Sequence, residues 1–107
     1  MPEIEYESPL DDNQLEWIRV RFRTLGGRVM TFTIQYETTI DGERLPVVRY
    51  DNAHGFPHRD EIDRRGQTIR KVAMAGNPDT QAALTIGQRD IQTNWRRYRA
   101  TFRRDEA

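Results

Sequence analysis

Residues 29–51 read VMTFTIQYETTIDGERLPVVRYD, and the alternation within this stretch decides the fold. Met30, Phe32, Ile34 and Tyr36 fall on one side of an extended chain, and Thr31, Thr33, Gln35 and Glu37 on the other. A period of two is the mark of a half-buried strand. Asp41-Gly42 then interrupts the run. Asp-Gly between two alternating segments is the strongest short hairpin signal, because both central turn residues need positive φ. Beyond it LPVVRYD forms the returning strand, with Pro46 marking a strand start or an edge. Val48 and Tyr50 are expected on one face, and Val47, Arg49 and Asp51 on the other.

The same logic extends in both directions. In WIRVRFRT, Ile18, Val20 and Phe22 alternate with Arg19, Arg21 and Arg23, a strand with a basic outer face, and Leu25-Gly26-Gly27-Arg28 is the turn after it. EIEYES near the start adds a further strand. HRDEID and QTIRKVAM make another hairpin, closed by Arg64-Arg65-Gly66. Asn77-Pro78-Asp79-Thr80 is a helix start, with Asn77 as the cap and Pro78 in the first position. From there Leu84, Gly87, Ile91, Trp95, Tyr98 and Phe102 recur every three or four residues, one apolar stripe. The expectation is a single α+β domain over residues 1–107, strand-rich over 1–75 with a helix over about 78–104. An antiparallel meander of four to six strands would carry that helix on one face.

Composition narrows the chemistry. The 107 residues include no cysteine, which excludes disulfides, thiolate catalysis and Cys-based zinc sites. No apolar run approaches a membrane span and no signal pattern opens the chain, so a cytoplasmic protein without a membrane partner is expected. Net charge is zero, with 17 basic and 17 acidic residues, but the charges are segregated. Residues 1–16 hold six acids and no base, whereas residues 89–104 hold six arginines against Asp90 alone. Sixteen of the 17 basic residues are Arg and one is Lys71. Arginine's planar fork suits phosphate and carboxylate, so the bias points to an anionic partner, as it also follows from genomic base composition. Arg96, Arg97, Arg99, Arg103 and Arg104 read either as an electrostatic footprint for RNA or as a solvated helix face.

The densest chemistry lies in VVRYDNAHGFPHRD, residues 47–60, which holds both histidines. His54 and His58 are acid/base candidates with Asp51 as an orienting carboxylate. Arg49, Asn52 and Arg59 are candidates for contacting a substrate phosphate, and Asp60 is a second carboxylate. Metal-independent cleavage of RNA needs these parts: a base for the 2′-OH, an acid for the leaving oxygen and a cation for the phosphate. The competing reading is structural, with His54 capping the loop and Arg49 and Asp51 forming an ordinary ion pair. Gly55 and Pro57 keep the two histidines off a helix, so their spacing has no metal-pair geometry. A facial set from Asp51, His54 and His58 ranks third, and no metal or cofactor is expected.

Two features carry a resemblance: Arg49-Tyr50-Asp51-Asn52-Ala53-His54 followed by Phe56-Pro57-His58, and the later Asn94-Trp95-Arg96-Arg97-Tyr98. Over roughly residues 30–72 the chain resembles small prokaryotic toxins of the TumE type. Over nearly its whole length it is similar to an uncharacterised family related to them. The resemblance implies the toxin half of a toxin–antitoxin module, acting on RNA or translation and paired with a small antitoxin. A non-catalytic protein-interaction module, dimeric through an edge strand, is the alternative. It would use the charge asymmetry, with Arg96 and Arg97 as contacts.

Overall fold

The computed structural model describes residues 2–53 and 55–104. Six strands, β1 (Glu3–Pro9), β2 (Glu16–Leu25), β3 (Arg28–Ile40), β4 (Glu43–Asp51), β5 (His58–Ile62) and β6 (Thr68–Ala73), precede one helix, α1 (Thr80–Arg104). They form one antiparallel sheet in the order β1-β2-β3-β4-β5-β6, each strand beside its neighbours in the chain. The expected α+β architecture, a meander with a long helix across one face, is the one observed.

The turns follow from the glycines. Asp41 and Gly42 sit at φ 53° and 79°, and Gly26 and Gly27 at 58° and 79°. Those are the left-handed pairs that match the twist of a two-residue hairpin. Asp63 closes the β5–β6 connection, its carboxylate accepting from the backbone N–H groups of Arg65 and Gln67.

One side of the sheet carries the core. Ile18, Val20, Phe32, Ile34, Tyr36, Val48 and Tyr50 meet Ala83, Leu84, Ile91, Trp95, Tyr98 and Phe102 of the helix. Full burial of such side chains contributes roughly 1.5–3 kcal/mol each. Val47 departs from the expected alternation. β3 pairs Tyr36 with Val48 and Glu37 with Pro46, so Val47 is an extra residue in β4 and its side chain is buried with the core. A bulge of this kind rotates one side chain by half a strand period. Pro46 lies beside this bulge, opposite Glu37, in the part of β4 that has no β5 partner.

Asp79 rather than Asn77 caps the helix: its Oδ1 accepts from the Ala82 N–H at 2.8 Å. Asn77 stands before a proline and is held left-handed at φ 42°, within a turn that returns its N–H to the Met74 carbonyl. Proline disfavours helical geometry in the residue before it, which passes the capping role to the next carboxylate.

A buried polar pair adjoins the core. Tyr36, fully shielded, donates to the carboxylate of Glu16, itself 1% exposed. Burial and the adjoining carboxylate push the Tyr36 hydroxyl far above its ordinary pKa.

Candidate functional site

Side chains on the face away from the helix follow from register. Glu7, Arg19, Gln35, Arg49, Asp60 and Lys71 align across the six strands. Glu5, Arg21, Thr33, Asp51, His58 and Ala73 form the adjoining row. Among the described residues no helix covers this face, and two groupings of chemistry lie on it.

The first grouping surrounds His58. Its Nδ1 is 3.1 Å from the carbonyl oxygen of Phe56, two residues back. A carbonyl can only accept, so Nδ1 carries a proton and Nε2 is turned the other way. There Nε2 meets Asp51 Oδ1 at 3.1 Å, Asp60 Oδ1 at 3.7 Å and the Lys71 ammonium at 3.1 Å. Lys71 is also 3.3 Å from Asp60 Oδ1. The imidazole is 1% exposed and the Phe56 ring lies 5.4 Å from it. Asp51 has a second task, accepting from the Ala53 N–H at 3.0 Å as the loop leaves β4.

The second grouping is a cavity of about 340 Å³ lined by Glu5, Arg19, Arg21, Thr33, Gln35 and Arg49. Arg49 donates from Nε to Gln35 at 2.8 Å, and no carboxylate pairs with it among the described residues. The expected ion pair with Asp51 does not form. Arg19 and Arg21 are held by acids of β1 and β3: Arg19 meets Glu7 and Glu37 at 3.5 and 3.6 Å, and Arg21 meets Glu3 at 3.8 Å. The acidic N-terminal segment is therefore matched by the arginines of β2 and by Arg44, which reaches Glu7 and Glu37 at 3.0 Å each.

Of the residues expected at a site, the structure brings Asp51, His58 and Arg49 onto one face. His54 lies outside the described residues. Asn52 is taken up by the backbone: its Oδ1 accepts from the Phe32 N–H and its Nδ2 donates to the Met30 carbonyl, both at 3.1 Å. Arg59 is on the opposite side, paired with Tyr50 in register and placed over the Tyr98 ring. Strand period separates it from His58 as surely as it joins His58 to Asp60. The helix arginines are partly spent on aromatic faces, Arg96 at 4.3 Å from the Trp95 ring and Arg97 at 5.2 Å from that of Tyr98.

A cluster the sequence reading passed over lies under the helix. The Asp90 carboxylate accepts from Tyr50 at 2.6 Å, Tyr98 at 2.5 Å and Asn94 at 2.7 Å. Burial raises the pKa of this carboxyl, but the three donors and nearby Arg59 outweigh it, and the net shift is downward. Burial, then the Asp90 carboxylate, pushes the Tyr98 hydroxyl above its ordinary range, and Tyr50 moves the same way. The signal was present in the spacing of Asp90, Asn94 and Tyr98, four residues apart on one helix stripe.

Among the described residues no helix is long and apolar enough to cross a membrane. No curated protein and no solved structure matches the chain. One family does, a domain of unknown function whose pattern spans residues 1–107. The open-faced sheet with its His58 cluster is thus the fold of a chain that belongs to the DUF7718 family, a domain of unknown function.

Proposed function

We propose that this chain is a cytoplasmic, toxin-like component of a toxin–antitoxin module that acts by binding RNA on the open face of its sheet. The observation that carries the reading is Arg49. It stands in a 340 Å³ cavity beside Arg19 and Arg21, held by an amide rather than by an acid. A guanidinium fixed through Nε presents its two terminal nitrogens as a ready fork for a phosphate. Thr33 and Gln35 add neutral hydrogen-bonding groups to the same cavity. The likeness of residues 49–58 to the TumE-type toxins supports the same direction.

Binding fits better than metal-independent cleavage. Acid/base catalysis needs an imidazole that reaches the substrate, and His58 is 1% exposed with both ring nitrogens engaged. The test is inducible expression of the wild type and Arg49→Glu, together with fluorescence anisotropy on labelled single-stranded RNA. Growth arrest and RNA binding by the wild type, both lost in a folded Arg49→Glu, are expected. A wild type that binds no RNA at low salt, or an Arg49→Glu that binds equally, removes the reading.

A protein-interaction module is the second reading, favoured by β6. Among the described residues that strand has no partner on its outer edge, and Ile69 is 56% exposed. An antitoxin or a second copy of the chain would add a strand there. Size-exclusion with light scattering on the wild type and Ile69→Lys separates the cases, since only an edge-mediated dimer dissociates.

A further inference from the structure

We propose that Asp51, His58 and Asp60 form a binding site for a divalent transition-metal ion, which displaces the Lys71 ammonium. The three ligating atoms all lie within 4.8 Å of one another. Two of the separations, 3.1 Å for Nε2 to Asp51 Oδ1 and 3.7 Å for Nε2 to Asp60 Oδ1, are informative. An ion about 2.1 Å from each of two ligands sets them roughly 3.0–3.4 Å apart at angles from octahedral to tetrahedral, so the Asp51 separation fits as it stands and that of Asp60 needs a closure of a few tenths of an ångström.

Orientation agrees with distance. The Phe56 carbonyl fixes a proton on Nδ1, so Nε2 is the ring nitrogen that faces the carboxylates. A hydrogen bond from the second ring nitrogen to a carbonyl is the support that ligating histidines ordinarily have. The second observation is independent. Asp60 Oδ1 is buried and takes no hydrogen bond, its contacts being the ion pair with Lys71 at 3.3 Å and His58 Nε2 at 3.7 Å, in a side chain only 9% exposed. A shielded carboxylate oxygen in that condition is costly unless a cation compensates it.

Lys71 supplies a cation now, but an incomplete one. Its single positive charge serves two carboxylates, whereas a divalent ion matches both. Lys71 is 43% exposed, so its flexible stem can swing to solvent and open the way in. One imidazole with two carboxylates suits Zn²⁺ or Mn²⁺ better than Mg²⁺, which prefers to keep most of its waters. The set read in the sequence was Asp51, His54 and His58, and here Asp60 stands in place of His54.

The experiment is calorimetric titration of chelator-treated protein with Zn²⁺ and with Mn²⁺, repeated for Asp60→Asn, His58→Gln and Lys71→Met. The wild type should bind one equivalent. Asp60→Asn and His58→Gln should lose at least about tenfold in affinity. Lys71→Met, a half-exposed change that leaves the ligands intact, should bind about tenfold more tightly because a competing charge is gone. A purely structural role for the lysine predicts no such gain. The proposal is overturned if wild type and Lys71→Met take up neither ion, if Asp60→Asn binds as the wild type does, or if Lys71→Met shows no gain. RNA binding is read by anisotropy, so failure here leaves the Arg49 reading standing and the converse holds too.

Discussion

At the scale of single residues, Asp90 makes the most consequential polar contact between helix and sheet. It accepts from one tyrosine of β4 and one of α1, joining the two layers through a single carboxylate. Asp90→Ala should cost about 1.5–3 kcal/mol, the range for losing hydrogen bonds to a charged group, read as a lower urea midpoint with unchanged slope. The pH dependence follows from the direction of its shift. Its folded pKa lies below the unfolded value, so its contribution is complete above about pH 4 and is lost as pH falls through the folded value. Tyr98 and Tyr50 are raised instead, so theirs is complete below about pH 10 and fades as pH rises through the folded values. Thermal melts of wild type and Asp90→Ala from pH 3 to 7 should converge at the acid end. This cluster escaped the sequence reading because an aspartate within an arginine-rich helix segment looks like a solvated charge. Asp51 and His58 were legible from their loop, whereas Lys71 was not. Its place depends on a hairpin register that only the folded pairing supplies.

At the scale of elements, α1 is tied down at a glycine. A Cβ on Gly87 would lie 2.8 Å from Ile34 Cδ1 and 3.1 Å from Tyr50 Cγ. Alanine would gain up to ~1 kcal/mol of helix propensity but force the helix off β3 and β4, and such overpacking costs about 1–3 kcal/mol. Gly87→Ala should therefore lower the melting temperature, whereas Thr85→Ala at an exposed position of the same helix should not. Asp79→Ala, removing the N-cap, should cost about 1 kcal/mol by the same assay. Strand and helix existence was legible throughout, because alternation and turn chemistry are local. The cap and the Val47 bulge were not, since a proline's effect on its neighbour and a one-residue insertion both override the simple period.

At the scale of the whole molecule, one side of the sheet is insulated by a helix and the other is a bare array of charge. β1 brings Glu3 and Glu7 against the arginines of β2, a built-in rival to any anionic ligand. On the proposed RNA-binding role, neutralising both as Glu3→Gln and Glu7→Gln should strengthen that binding. Arg49→Gln should weaken it and flatten the dependence of log affinity on log salt by about 0.7, the loss of one phosphate contact on a single strand. The strand order has a further consequence, in time rather than space. Every hairpin closes between chain neighbours, so the sheet can zip up step by step as it is synthesised. Yet the helix follows all six strands, and at about 5–20 residues per second its 25 residues need a second or more to appear. For that interval a nascent sheet shows Val20, Ile34 and Val48 to the cell with nothing to cover them. A chaperone that grips apolar strands would find its opportunity there, and ribosomes paused before Trp95 should carry chains that proteases readily cut.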